Sequence, residues 1–186
     1  MRNSAILFVS LLAFISAGYA QQFPPGMKMH RIQAGKLDAQ GWTIANSTEG
    51  SFTAKLPCLY NDFTLIEDNN DNPVNKTFGI GCLRSDQKKF SITRINYKNS
   101  ESDASRFFNE NSLREKWPNA KIEKSIYVKF PIIDVSISNT SSCAFIRYVL
   151  VKPDVLAMIS EAPKSSCKAL EIMRKEFFMS LLVENN

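Results

Sequence analysis

Residues 122–159 read IEKSIYVKFPIIDVSISNTSSCAFIRYVLVKPDVLAMI, and this stretch decides the fold class. It is rich in β-branched and aromatic residues, which favour strands. Pro131, the polar run 139–142 and the turn signal 152–154 divide it into segments. Strands joined by short connections pair antiparallel. The stretch therefore predicts an antiparallel meander.

A final helix is predicted after this meander, over residues 167–183. Pro163 and the pair Ser165 and Ser166 open it. Its apolar residues recur three, four and four positions apart, which marks one helix face, and two more widen that face: Leu170, Met173, Phe177 and Leu181, then Phe178 and Leu182. Packing of this face on the sheet is favoured over binding to a membrane surface.

Upstream of the meander, the sequence predicts more strands and a second helix. Phe52, Ala54 and Leu56 alternate with polar residues, as in a half-buried strand. A hairpin turns at 85–88, and a change of apolar phase predicts a bulge near Thr93 or Arg94. A central helix is expected from residue 102 or 103 to residue 116, because proline follows at 118.

This order of elements predicts an α+β fold, in which a mostly antiparallel sheet is packed with two amphipathic helices. Within it, residues 41–57 carry a resemblance to a known family: GWTI, then STEGSFTAKLP, is similar to the opening of the PsbP-like α/β sandwiches. The resemblance extends over about residues 41–183. It implies a binding or assembly module, as in PsbP itself and in exported bacterial proteins of unassigned role, and it carries over no functional residue.

The first 20 residues have the layout of a cleavable signal peptide. Arg2 precedes a short apolar run, and Gly18 and Ala20 are small residues before the expected cut. The run is about half the ~20 residues that a membrane span needs, and no later segment is apolar enough to span a bilayer. We therefore expect a signal peptide at 1–20, a flexible leader at 21–40 and one domain at 41–186, in a periplasmic or secreted protein.

Four cysteines remain after cleavage, Cys58, Cys82, Cys143 and Cys167. An even number in an oxidising compartment predicts two structural disulfides, although four cysteines allow three connectivities. We favour Cys58–Cys82 and Cys143–Cys167, because the members of each pair are near in sequence and flank predicted element ends. A redox pair or metal site is disfavoured, because no two cysteines have the C-x-x-C spacing.

Composition argues against several functional classes. The formal net charge of +5 falls to +4 without Arg2, and the basic residues are scattered. Nucleic-acid binding is therefore not expected. The one histidine, His30, falls in the predicted leader, where we expect an exposed residue rather than a positioned catalytic base. We predict no catalytic, cofactor-binding or metal-ligating residue and no cofactor, although sequence alone leaves open whether Glu110, Glu115 and Asp134 meet.

Three functions remain as hypotheses. The first is an interaction module without catalytic activity, whose partner is another envelope or secreted protein. The second is a small-ligand-binding protein with a pocket between sheet and helix, which Trp42 or Trp117 would line if they do not fill the core. The third, least favoured, is a hydrolase built on carboxylates alone.

Overall fold

A computed structural model of the chain describes residues 26–69, 72–96 and 109–184. In these residues the chain is α+β, with a large antiparallel sheet, a small sheet and two helices, so the predicted fold class is confirmed. The predicted signal peptide lies outside the described residues.

The first half of the chain is all strand. Its strands are β1 Met27–Ala34, β2 Thr43–Asn46, β3 Phe52–Leu56, β4 Tyr60–Asn69, β5 Asn72–Leu83 and β6 Lys89–Asn96. The second half begins with helix α1, Glu110–Lys116, and continues with β7 Lys121–Tyr127, β8 Phe130–Ser138, β9 Ser142–Val151 and β10 Asp154–Pro163. A short 3-10 turn, Lys164–Ser166, leads into helix α2, Cys167–Met179, and β11 is Leu182–Val183.

The large sheet has eight strands in the order β1-β4-β5-β6-β10-β9-β8-β7. Every adjacent pair is antiparallel. The order shows two local meanders, β4-β5-β6 and β7-β8-β9-β10, which meet where β6 pairs with β10. The predicted meander of residues 122–159 is confirmed as the second of these.

Two layers cover the sheet. One face, here called the α2 face, is covered by α2 and by the small sheet, which has the order β11-β3-β2. Its core joins Phe52 and Leu56 of the small sheet to Phe90 of the large sheet and to Phe177 of α2. On the opposite face, the α1 face, Leu113 of α1 packs against a second apolar cluster.

The predicted leader differs most from the structure. Residues 27–34, expected to be flexible, form edge strand β1 and pair with β4. The strand has no apolar alternation because it is a half-exposed edge with two register shifts, and its buried contacts are polar.

Two local predictions also needed correction. The bulge near Thr93 or Arg94 is wrong, because β6 keeps an unbroken register with both β5 and β10. Ser91 and Thr93 are buried on the α1 face, so the strand continues without apolar residues at those positions. Helix α1 is described from Glu110, where the Asn109 side chain accepts the Asn111 backbone N–H at 3.0 Å. Its predicted start lies in 97–108, outside the described residues.

Candidate functional site

Two disulfides anchor the α2 face. The structure joins Cys58 to Cys82 and Cys143 to Cys167, which are the two pairs favoured from sequence. The first connects the loop after β3 to β5. The second attaches the first residue of α2 to β9. No cysteine is free, so the four residues act as staples of the scaffold around the surfaces described next.

A groove runs beside the second disulfide, between the sheet and the start of α2. Its volume is about 480 Å³. Ser136, Ser138 and Phe145 line it from the sheet, and Lys168 and Glu171 line it from the helix. The groove mixes hydroxyl, charged and aromatic groups, which is a composition suited to a small polar ligand.

Helix α2 carries a second apolar row on its solvent side. Ile172 and Met179 are separated by seven residues, which is two helical turns, and their exposed fractions are 68% and 64%. The inward face holds Leu170, Phe177 and Phe178. The sheet-packing face was therefore predicted correctly, whereas the outward row was missed although it has the same helical period.

The small sheet extends this exposed row. Ile44 of β2 lies opposite Lys55 of β3, and Leu182 of β11 lies opposite Thr53. The Lys55 side chain reaches Glu176 of α2 at 3.2 Å, and the Lys55 backbone N–H donates to the Ser180 hydroxyl at 2.9 Å. Ile44 and Leu182 are 65% and 66% exposed. Helix and sheet thus share one surface.

We call this surface the outer patch, and define it as Ile44, Lys55, Ile172, Glu176, Met179 and Leu182. Beside Ile44 is a hollow of about 340 Å³, lined in addition by Trp42, Lys36 and Asp38. Trp42 is 8% exposed and belongs to the core. The sequence placed Leu182 on the buried helix face, but the helix ends at Met179 and Leu182 lies in β11, facing solvent.

A polar cluster holds the turn between β2 and β3 against the large sheet. His30 is not the exposed residue expected, because its side chain is only 8% exposed. Its Nε2 lies 2.8 Å from the Thr64 hydroxyl and 3.6 Å from Glu49 of the turn. Asp62 is fully buried and accepts the Thr48 backbone N–H at 3.0 Å, and also the Thr48 hydroxyl.

The geometry of His30, Thr64 and Glu49 differs from that of a nucleophile with its base. The Thr64 hydroxyl donates to Glu49 at 3.2 Å, so its oxygen is left to accept the His30 Nε2–H. In a catalytic triad the acid contacts the other ring nitrogen, and the nucleophile is accessible. Here Glu49 approaches the same nitrogen, and Thr64 is 2% exposed. The cluster therefore positions the turn.

Glu49 shows the electrostatic balance of this cluster. Desolvation acts to raise the pKa of its carboxyl, but the hydrogen bond from Thr64 and the charges of His30 and Lys28 outweigh it. The net result is a pKa below the usual range for glutamate. Glu49 is therefore ionised at neutral pH and holds the turn through these contacts.

The carboxylates left open by the sequence do not converge. Glu110 pairs with Arg114 at 2.7 Å and with Lys124 at 3.1 Å. Asp134 pairs with Arg147 through two bonds of 2.8 Å on the α2 face, whereas α1 packs on the opposite face. Among the described residues, no three His, Cys, Asp or Glu side chains are grouped to hold a metal ion. No helix in that part of the chain is long and apolar enough to cross a membrane.

Comparison with known proteins gives a limited result. No protein-family model matches the chain, and no curated protein matches it. Among solved structures, the chain is similar to LpqN of Mycobacterium tuberculosis, described as involved in cell envelope biogenesis. The two share 11% identity over 86% of this chain and 92% of LpqN, with a TM-score of 0.39. A likeness of this size carries no argument about function, and the PsbP-like resemblance stays a prediction.

Proposed function

We propose that this protein is an exported interaction module that docks onto another envelope or secreted protein through the outer patch. The observation that carries the proposal is the concentration of four apolar side chains, each about two-thirds exposed, on one surface of α2 and the small sheet. Isolated exposed apolar residues are ordinary, but grouped ones mark interaction sites.

The chemistry of the outer patch fits a protein partner. Its apolar residues surround the Lys55–Glu176 ion pair, in which both side chains are 47% exposed. Protein interfaces combine an apolar centre with polar groups at the rim, and the hollow at Trp42 offers a recess for one side chain of the partner. The proposal assigns the protein no catalytic activity.

The test compares charged variants on and off the outer patch. Ile172→Lys and Met179→Lys place a charge at the centre of the patch, whereas Ile126→Lys changes an equally exposed isoleucine on β7. Each tagged protein, secreted from the full chain and oxidised, is used to capture partners from the extract of its source for mass spectrometry. Circular dichroism and thermal melting verify that all variants fold.

We expect one saturable partner that the Ile126→Lys protein retains and both patch variants lose. A charge buried at the centre of an interface costs several kcal/mol, so binding should fall at least about tenfold. Equal capture by patch and control variants would refute the outer patch as the docking surface, and capture of nothing above background would count against the module itself.

The groove beside Cys143–Cys167 favours a second candidate function, small-ligand binding. Its position between sheet and helix is the one expected from sequence, and about 480 Å³ is within the range of ligand sites. A thermal-shift screen of small envelope metabolites tests it. A ligand at 100 times its Kd stabilises the fold by about 2.7 kcal/mol, and a Lys168→Ala variant should lose that shift. A flat response across the screen would argue against this candidate.

A further inference from the structure

We propose that strand β7 is a dimerisation edge, which pairs antiparallel with β7 of a second copy of this chain around a two-fold axis at Ser125. Two eight-stranded sheets would then form one continuous sheet. The proposal concerns a surface other than the outer patch and does not depend on the function proposed above.

The edge is regular and open. Within the described residues, β7 pairs only with β8, through seven successive residue pairs without a register shift. Five of its seven residues are exposed. The opposite edge, β1, has two register shifts. Such irregularities discourage pairing with another chain, so β7 is the edge of the large sheet better suited to accept a strand.

The charges of β7 are neutralised within the chain. Charged side chains commonly protect a sheet edge from pairing. Here Lys121 lies 2.8 Å from Glu123, and Lys124 lies 3.1 Å from Glu110 of α1. The edge therefore presents little net charge to a second copy.

The most exposed large apolar residues of the described chain are also at this edge. Ile126 and Val128 are 75% and 81% exposed, above any other residue of this kind in the described ranges. They follow each other at the end of β7, where a second strand would cover them. Burial of apolar side chains across paired strands is what stabilises a sheet.

Self-pairing selects one register. With Ser125 opposite its own copy, Lys124 faces Ile126 of the second copy, and Glu123 faces Tyr127 of the second copy. Ile122 then faces Val128 of the second copy, so both exposed apolar residues are covered. Moving the axis by one residue sets Lys124 opposite Lys124, or Glu123 opposite Glu123 in the other direction, and like charges directly opposite are destabilising. Only the Ser125 register avoids this among the three.

Crosslinking tests the register. Opposed residues in an antiparallel pair have Cα atoms about 4.5–5.5 Å apart, which a disulfide spans. Under mild oxidation, we expect Ser125→Cys to give a covalent dimer on non-reducing gels. Lys121→Cys is the matched control, because the two copies of that residue would be eight positions apart along the strand, about 27 Å. No dimer, or equal dimer from both variants, would overturn the proposal.

A charge variant tests association without new cysteines. Ser125→Lys sets two lysines opposite each other at the axis, on an exposed position where the fold is unaffected. The wild-type protein should show concentration-dependent dimers by light scattering up to about 100 μM, since a single strand pair is at the low end of interface size. Ser125→Lys should weaken the dimer at least tenfold, and Ile32→Lys on β1 should not. A monomeric wild type, or an unaffected Ser125→Lys protein, would contradict the proposal.

Discussion

Two buried carboxylates, Asp62 and Asp154, hold one short turn against the large sheet. Asp62 accepts the Thr48 backbone N–H, and Asp154 pairs at 2.7 Å with Arg94, whose guanidinium donates to the Gly50 carbonyl at 2.9 Å. The Oδ1 atom of each carboxylate is buried without a hydrogen-bond partner among the described residues. A buried charge of this kind depends strongly on the partner it has.

Replacement of Arg94 should therefore be costly. Arg94→Leu leaves Asp154, whose side chain is 3% exposed, as a buried charge without its cation. We expect a loss of about 3 kcal/mol in the free energy of unfolding, measured by chemical denaturation. Arg114→Leu, which breaks an ion pair in which the arginine is 51% exposed, should cost less than about 1 kcal/mol.

The double variant Arg94→Leu with Asp154→Asn separates charge burial from lost packing. Asparagine removes the uncompensated charge, so the double variant should recover part of the loss. If Arg94→Leu costs no more than Arg114→Leu, the account of the buried pair is wrong.

Residue roles followed from sequence only where local spacing determines them. The cysteine pairs could be favoured because each pair is near in the chain and flanks element ends. His30 could not be placed, since its partners Thr64 and Glu49 are 34 and 15–21 residues from their contacts in the chain. Contacts of that kind depend on strand register, which a single polar segment does not reveal.

Among the elements, α2 is the one with two distinct faces. The apolar period from Leu170 to Leu181 predicted its buried face, because a helix buries one stripe. The same period gives Ile172 and Met179 on the other side, and only the structure shows that nothing in the described chain covers them. Strand β1 was not predicted, because a half-exposed edge with bulges lacks the alternation that marks a strand.

The two disulfides should stabilise the protein equally in the chain-entropy model. Each joins cysteines 24 residues apart, and a loop of this length is worth about 3.5 kcal/mol. We expect Cys58→Ala with Cys82→Ala, and Cys143→Ala with Cys167→Ala, to lower the free energy of unfolding by similar amounts. Denaturation of both double variants under non-reducing conditions measures this. A difference above about 2 kcal/mol would show that loop closure is not the main contribution of one of them.

In the whole molecule, the junction of β6 and β10 unites two halves that are otherwise local. Seven residue pairs connect the strands, from Val155 opposite Ile95 to Glu161 opposite Lys89. Helix α2 reinforces the junction, because Phe177 meets Phe90 edge to face with ring centroids 5.4 Å apart. The sequence predicted each meander from its turns but not this pairing, which joins segments about 60 residues apart.

Hydrogen exchange should reflect this architecture. Amides of β6 and β10 lie at the centre of the sheet under two packed layers, so we expect them to exchange near the rate of global unfolding. Amides of β1 and β7 should exchange much faster, by opening of the edges. The measurement is best made on dilute protein, where β7 has no second copy to pair with. Equal protection of β10 and β1 would contradict a central junction.

The connectivity of the disulfides has a consequence for biosynthesis. Cys58 and Cys82 are the first two cysteines of the domain to emerge during N-terminal-first export, and Cys143 and Cys167 are the next two. An oxidant that joins cysteines in order of appearance therefore forms both native pairs directly, each inside its own half of the fold. Maturation of this chain then needs an oxidase but no isomerase, and the first half is crosslinked before the second has left the translocation pore.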